Sequence, residues 1–510
     1  MRTNSFRNAS TGMPFTKLYR LPVIVLTSLT LYASRRLFLV VAASVPSTTT
    51  TSSPSGFSAA LATSSIHSRS ARIVPKIPQW SSHVSHQRPT TFRVLQSQVV
   101  HRHGDRTPIT PMADTDYWAS TLPSEHVLTL VAKGTTVVSQ QTSQESSASM
   151  AVPTHPAGGQ GPFGKLTQLG LLQMVGVGTA LRDQFEWTRN SDNNDNIHDE
   201  RGNVFLNQGR IFHSTNNPLL PSHVKVFSTD FPRTILSVRG TLIGLFPDQV
   251  VDMEIDVRQT DKMIPDPQPR RTEEQEKLEA MLAKSQMLHH QEMELQPVAI
   301  HVTQALLPLL GKGAFGVSFG VGEEKNDTII VDSNHQPSSL TLPQLAEVIK
   351  CLAVRGLLPS TITTDDQERI ATFTASKWFH LLRHPRLAYL AMNPMVHAMV
   401  ESMHAMIQNG SFPVILYSAH DSTLIGLLCA LRLEQPAVWP EYGSTLTLEL
   451  IEAVCNTSGE TNHLVRFILN GNILKSQWND DEEPYETIPL DRLTEYIKID
   501  GLGEDNLSLL

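Results

Sequence analysis

Apolar residues recur along this chain in two rhythms. Short runs of β-formers stand at Phe92 to Val100, Val224 to Ser228 and Val414 to Ser418. Runs of this length and composition predict buried strands. Leu446 to Ile451 and Leu464 to Leu469 predict two closing strands. Elsewhere the period lengthens. Thr167 is of a type that caps helices through its side-chain oxygen, and Leu169, Leu172, Val175 and Phe185 follow at helical spacing, which predicts a helix to about Phe185. Gly170, Gly176 and Gly178 weaken that helix but permit close packing on a sheet. Thr234 to Leu245 predicts a second helix, and residues 273–295, 342–355 and 365–408 are mostly helical in pattern. The stretch from Asp114 to Pro162 has neither period and predicts a long irregular segment, either a pocket rim or partly disordered. Strands interleaved with helices give an α/β class.

The organisation follows from where these patterns sit. Residues 91–250 and 411–510 read as an α/β core, and residues 251–410 as a largely helical cap inserted into it. The 510 residues, 40% of them hydrophobic, suffice for one large domain or two smaller ones. Charge is unevenly spread. Ten of the 41 Lys and Arg lie in residues 1–90, which hold no Asp or Glu; the remaining 31 face 49 acidic residues, so the body carries a formal net charge of −18. An acidic body argues against a nucleic-acid partner. Residues 1–90, rich in Ser, Thr and Arg, resemble an organelle transit peptide. They also contain Leu21 to Tyr32 behind Lys17 and Arg20, and Leu37 to Val45 behind Arg35 and Arg36. The first run suits a secretory h-region, but the arginine break argues against one clean span, which needs about 20 apolar residues. Mitochondrial or other organellar residence is therefore expected first, and a secretory or membrane-anchored state, with membrane association through this segment, second. Cys351, Cys429 and Cys455 allow one disulfide at most. Sequons at Asn326, Asn409 and Asn456 are short enough to arise by chance.

The chemistry concentrates at two strand ends. Arg102-His103-Gly104-Asp105-Arg106-Thr107-Pro108 follows the first run, and Ser418-Ala419-His420-Asp421 follows the run at Val414. A histidine between two arginines at a strand end is suited to hold a phosphate and attack it. Arginine forks bind phosphate oxygens bidentately and keep their charge. A third block, Ser228-Thr229-Asp230 with Arg233-Thr234 and Gly244-Leu245-Phe246-Pro247, lies between them in the chain. Asp421, ahead of Ser422 to Ile425, also suits a helix cap, and Arg233 also suits a surface position on an amphipathic helix.

These three blocks, in this order, resemble the histidine acid phosphatase family, branch 2 of the histidine phosphatase superfamily, over about Phe92 to Ile497. The resemblance implies a phosphoglycerate mutase-like fold: a three-layer α/β/α core with a mainly parallel sheet and an inserted helical cap. It implies His103 as nucleophile, forming a phosphohistidine, and Asp421 as general acid. Arg102, Arg106, Arg233 and His420 would bind the phosphate, no metal or other cofactor being needed. Asp105 falls at a variable family position and His101 reads as structural. A protonated Asp421 implies an acidic optimum. Gly164 to Thr167, Leu416 to Asp421, Trp439-Pro440 and Leu446 to Leu450 are most similar to the lysophosphatidic acid phosphatase type, which implies a lysophospholipid phosphate as substrate. Met281, Leu282, Met287 and Leu288 would then line an acyl groove or simply form core. Sugar-phosphate and inositol-phosphate esters are alternative substrates. A polyphosphate needs a pocket rich in Lys and Arg, and Asp114 to Pro162 offers only Lys133. A non-catalytic phospho-ligand binder is the alternative outside enzymes; it would be expected to lose His103 or Asp421, and the chain keeps both.

Overall fold

The structure is a computed structural model, and it describes residues 76, 89–139, 160–187, 196–213, 217–247, 252–258, 263–265, 272–316, 339–478 and 484–498. The first strand, β1 (Thr90–Arg102), leads into α1 (Thr115–Ser120), α2 (Glu125–Ala132) and β2 (Thr135–Ser139). Helix α3 (Gln168–Phe185), β3 (Val224–Thr229), α4 (Pro232–Leu245) and β4 (Met253–Arg258) follow. Then come α5 (Glu273–Ala283), α6 (Gln286–Leu306), α7 (Leu342–Ala353), α8 (Thr364–Leu382) and α9 (Pro385–Asn409). Next come β5 (Val414–Ala419), α10 (Asp421–Ala430), β6 (Thr445–Cys455), β7 (Thr461–Leu469) and β8 (Asn472–Leu474), and a short strand, Thr487–Pro489, pairs with β7 ahead of a last described helix, Leu490–Tyr496.

The main path of the sheet runs β8-β7-β6-β1-β5-β3-β4-β2. From β1 to β2 every neighbouring pair is parallel, and from β1 to β8 every pair is antiparallel. Side chains alternate across a strand, and here both faces are covered. Val99, Val226, Ile255 and Leu416 face a core shared with α3 and α4. Val100, Ile415 and Tyr417 face the other core, shared with α9 and α10. That is the α/β/α layering expected. Thr167 does cap α3, accepting from the Gly170 amide. Two of the three glycines of α3 serve a different contact from the one expected, and Gly176 meets nothing within 4 Å. A Cβ on Gly178 would lie 1.9 Å from the Thr241 carbonyl of α4, and one on Gly170 would lie 2.0 Å from the Asp105 carbonyl. The close approaches are to a neighbouring helix and to the Arg102–Pro108 loop, not to the sheet.

Several expected boundaries move. The segment after Asp114 is not irregular: Asp114 and Ser124 cap α1 and α2, and β2 pairs with β4 at the sheet edge. Residues 140–159 of it lie outside the described residues. Strand β4 falls within 251–410, so the core extends past residue 250. The helical pattern over 365–408 is two helices, broken at Arg383–His384 because Pro385 disfavours the helical conformation before it. The second, α9, packs its buried methionines against α10 and the sheet, and so belongs to the body. Helices α6, α7 and α8 form the cap around Val302, Leu345, Val348 and Phe373, joined by Trp118 of α1. Leu288 is buried, Leu282 packs beside Leu381 and Leu387, and Met281 and Met287 are exposed. Lys76, inside the expected leader, pairs with Glu486 at 2.6 Å, and its carbonyl accepts from Arg466. All three cysteines are free. Among the described residues no helix is long and apolar enough to cross a membrane; the two leader runs lie outside them.

Candidate active site

Two parallel strands explain how residues more than 300 positions apart meet. β1 and β5 are hydrogen-bonded neighbours, with Arg102 in register with Ala419. The His103 amide donates to the Ala419 carbonyl at 3.1 Å. Both chains leave the sheet at the same end, so His103 and His420 emerge side by side, ring centroids 5.6 Å apart. On the far side of β5, β3 ends at Thr229, and α4 begins at once with Arg233 in its first turn. Arg102, His103, Arg106, Arg233 and His420 are all buried. Asp421 keeps a fifth of its side chain exposed. Carboxyl ends of parallel strands are where sheets of this kind bind ligands.

The histidines have fixed orientations. His103 Nδ1 lies 2.8 Å from the Gly104 carbonyl; it donates there, so Nε2 keeps its lone pair. His420 Nε2 sits 3.0 Å from the Thr229 hydroxyl, and Arg233 approaches its Nδ1 at 3.4 Å. Asp421 is the first residue of α10 but not its cap. Its Oδ1 accepts from the Ser422 amide, while Oδ2 takes Arg102 at 2.6 Å and the Trp439 indole at 3.0 Å. The carboxylate therefore serves the site as well as the helix start.

Charge in the pocket is almost fully paired. Arg102 pairs with Asp421, Arg106 with Glu347, Arg355 with Asp105, and Lys350 with Glu441. Arg233 is different. It lies over the Phe231 ring at 4.3 Å, yet its Nε and Nη1 have no hydrogen-bond partner and no carboxylate pairs with it among the described residues. A buried charge without a counter-ion is costly, and an anion would relieve it.

Titration follows this arrangement. Burial, reinforced by Arg233 and Arg102, lowers the His103 and His420 pKa values well below the usual imidazole range, so both rings are neutral. Burial, with Arg106 nearby, pulls Arg233 down to about 9. Burial would raise Asp421, but Arg102, His420, Arg106 and the Trp439 hydrogen bond hold it at about 2. Neutral imidazoles, an unpaired guanidinium and a carboxylate at the mouth can bind an anion, attack it and exchange a proton with what leaves.

The six residues singled out in the sequence come together in one pocket. The sequence reading missed their partners. Helix α7 of the cap sends Glu347 onto Arg106 and the Ile109 amide, Cys351 beneath Arg106, and, just past its end, Arg355 onto Asp105. Their spacing of four placed them on one helical face, and that was the available signal. Asp105 is wholly buried and also accepts from the Thr167 hydroxyl. It therefore ties the loop between Arg102 and Pro108 to α3 and to the cap. Burial lowers His101 to about 4, consistent with a structural residue. Tyr442 packs between Arg102, at 4.2 Å, and His103, at 5.8 Å.

Buried arginines gathered around a neutral histidine make a site suited to bind an anion. The chain belongs to the histidine phosphatase superfamily (branch 2), whose sequence profile matches residues 93–296 and 383–470, more than half of its length. Helix α7 lies outside the matched residues. No curated protein matches the chain in sequence. Among solved structures it is similar to the apo phytase of Hafnia alvei, at 15% identity and a TM-score of 0.49, covering 80% of this chain and 96% of that one. It is also similar to the phytase of Citrobacter braakii, at 14% identity and a TM-score of 0.49, covering 80% and 97%. A third is the multiple inositol polyphosphate phosphatase of Bifidobacterium longum in complex with inositol hexasulfate, at 11% identity and a TM-score of 0.44, covering 86% and 99%.

Proposed function

We propose that the protein is a phosphomonoesterase that works through a phosphohistidine on His103. The observation that carries this reading is Arg233, a buried guanidinium without a salt bridge among the described residues, which contacts His420 and lies close enough to lower the pKa of His103, whose Nδ1 donates to the Gly104 carbonyl and leaves Nε2 free. Arg102, Arg106 and Arg233 supply the positive charge around the phosphoryl group, which is where such catalysis gains most; His420 accepts from Arg233 at Nδ1 and so helps to hold it in place. His103 Nε2 forms the bond to phosphorus as the ester P–O bond breaks. The positive charge on the ring is then steadied by the Gly104 carbonyl at Nδ1. Asp421 gives its proton to the leaving alkoxide. Water next attacks phosphorus, Asp421 takes its proton, and the P–N bond breaks, restoring His103.

Asp421 is ionised in the free site, which bears on the acidic optimum. Binding a phosphate dianion engages Arg102 and adds negative charge beside the carboxyl, and both changes raise its pKa. The substrate itself thus prepares the acid.

The finer reading is a lysophospholipid phosphate, releasing a monoacylglycerol. Two features support it over a polyphosphate. Trp439 and Trp378 stand together beside Asp421, the leaving-group side. Lys350 and Arg355 are already held by carboxylates, which leaves little spare charge for a second phosphate. The composition of residues 1–90 supports organellar residence and a route to a membrane surface.

The test is phosphate release by the purified protein in EDTA at mildly acidic pH. Lysophosphatidic acid, a sugar phosphate, inositol hexakisphosphate and an aryl phosphate are compared, with His103→Ala as control. Preference for the lysophospholipid is expected, with His103→Ala inactive but folded. Turnover surviving in His103→Ala would remove it as nucleophile. No release from any ester by the folded protein would favour a phospho-ligand binder.

A further inference from the structure

Four consecutive residues after α10 each touch a group of the site. The Trp439 indole N–H donates to Asp421 Oδ2 at 3.0 Å. The Pro440 carbonyl accepts from Arg102 Nη1 at 2.5 Å. Glu441 pairs with Lys350 at 2.9 Å. The Tyr442 ring lies 4.2 Å from the Arg102 guanidinium. Trp439 and Pro440 therefore grip opposite partners of the Arg102–Asp421 ion pair. Trp439 is itself braced edge-on by Trp378 of α8, ring centroids 5.9 Å apart, so the cap reaches the carboxyl through two indoles packed edge to face.

A carboxyl that delivers a proton needs a fixed direction and a suitable affinity for that proton. Oδ1 is tied to the Ser422 amide, and Oδ2 to Arg102 and Trp439. When phosphate draws Arg102 away, the indole remains the donor on Oδ2. A donor to the charged form favours that form.

We propose that Trp439 is the positioning residue of Asp421: its indole N–H aims the carboxyl at the leaving group and sets the pH at which that group holds its proton. The proposal rests on the phosphatase reading of the site. Among the described residues the other charged or titratable groups facing Asp421 are Arg102 of β1, Arg106 of the following loop, His420, Arg233 of α4, and Lys350 of α7 with its partner Glu441. All remain when Trp439 alone is changed.

Trp439→Phe keeps a ring against Trp378 and removes only the N–H. On an alkyl phosphate, the loss of kcat with rising pH is expected to shift to higher pH by about one unit, the size of one hydrogen bond to a charged group. On an activated aryl phosphate, which needs no proton, the profile should stay put. Carboxyl-labelled aspartate NMR, with Asp421→Asn identifying the resonance, should show Asp421 titrating at higher pH in the variant. An unmoved limb and an unmoved resonance, with activity lost equally on both esters, would overturn the proposal and leave Trp439 as packing. If the wild-type protein hydrolyses neither ester, the phosphatase reading fails on its own, and the NMR titration still decides whether Trp439 controls Asp421.

Discussion

Replacing Arg233 with Met should pull binding and stability in opposite directions. The residue is 7% exposed, and two of its three nitrogens lack a hydrogen-bond partner. A hydrogen bond to a charged group contributes about 1.5–3 kcal/mol. Two parallel bonds from one fork to phosphate oxygens should therefore contribute on the order of 3–5 kcal/mol. Their loss would weaken vanadate or phosphate binding by roughly 10²–10⁴-fold. In the free protein the same group is an unpaired buried charge, which costs several kcal/mol. The Phe231 ring at 4.3 Å returns up to about 2 kcal/mol of that. Methionine fills much of the volume without the charge, so the free variant should gain on the order of 1–3 kcal/mol and melt higher. Titration calorimetry with vanadate and thermal unfolding without it measure the two effects. Vanadate affinity within about threefold of wild type, well under 1 kcal/mol, would place Arg233 outside the phosphate site. A lower melting temperature would show that the guanidinium is satisfied in the free protein.

Other outcomes follow from the same geometry. Asp421→Asn should slow alkyl phosphates by about 10²–10⁴, the usual value of a positioned acid, and activated aryl phosphates much less; equal losses in steady-state assays would assign Asp421 a structural role. Asp105→Asn leaves Arg355 buried against a neutral partner, so unfolding free energy should fall by about 3–5 kcal/mol, measured by denaturant titration; a change near zero would mean that the pair carries no structural weight. His101 is lowered to about 4, and His103 and His420 are lowered too. The unfolded chain thus binds more protons than the folded one below its ordinary histidine pKa of 6.5. Stability should be full above that value and decline as pH falls from 6.5 towards 4, with bound phosphate opposing the loss. A melting temperature flat across that window would contradict the neutral, buried histidines.

Much of this protein was legible in its sequence because the relevant signals are local. The runs ending at Val100, Ser228 and Ser418 mark strands by residue type alone. The motif residues that follow each run therefore fall at or near strand ends. Thr167 and the apolar spacing of Leu169, Leu172, Val175 and Phe185 announced α3. What the sequence could not carry was which long-range partner each polar group finds. Helix α7 reads as an ordinary amphipathic helix until the fold turns its 347, 351, 355 face onto the Arg102–Ile109 segment. Asp105 looks dispensable until Arg355 and Thr167 close on it. Strand β4 and helix α9 were assigned to the cap because a contiguous stretch of chain suggests one domain, whereas the sheet recruits strands by pairing and not by order. Local pattern is a property of neighbours in the chain. The unpaired charge on Arg233, the donor on Asp421 and the neutrality of His103 depend on burial and on groups hundreds of residues away, and only the tertiary structure decides them.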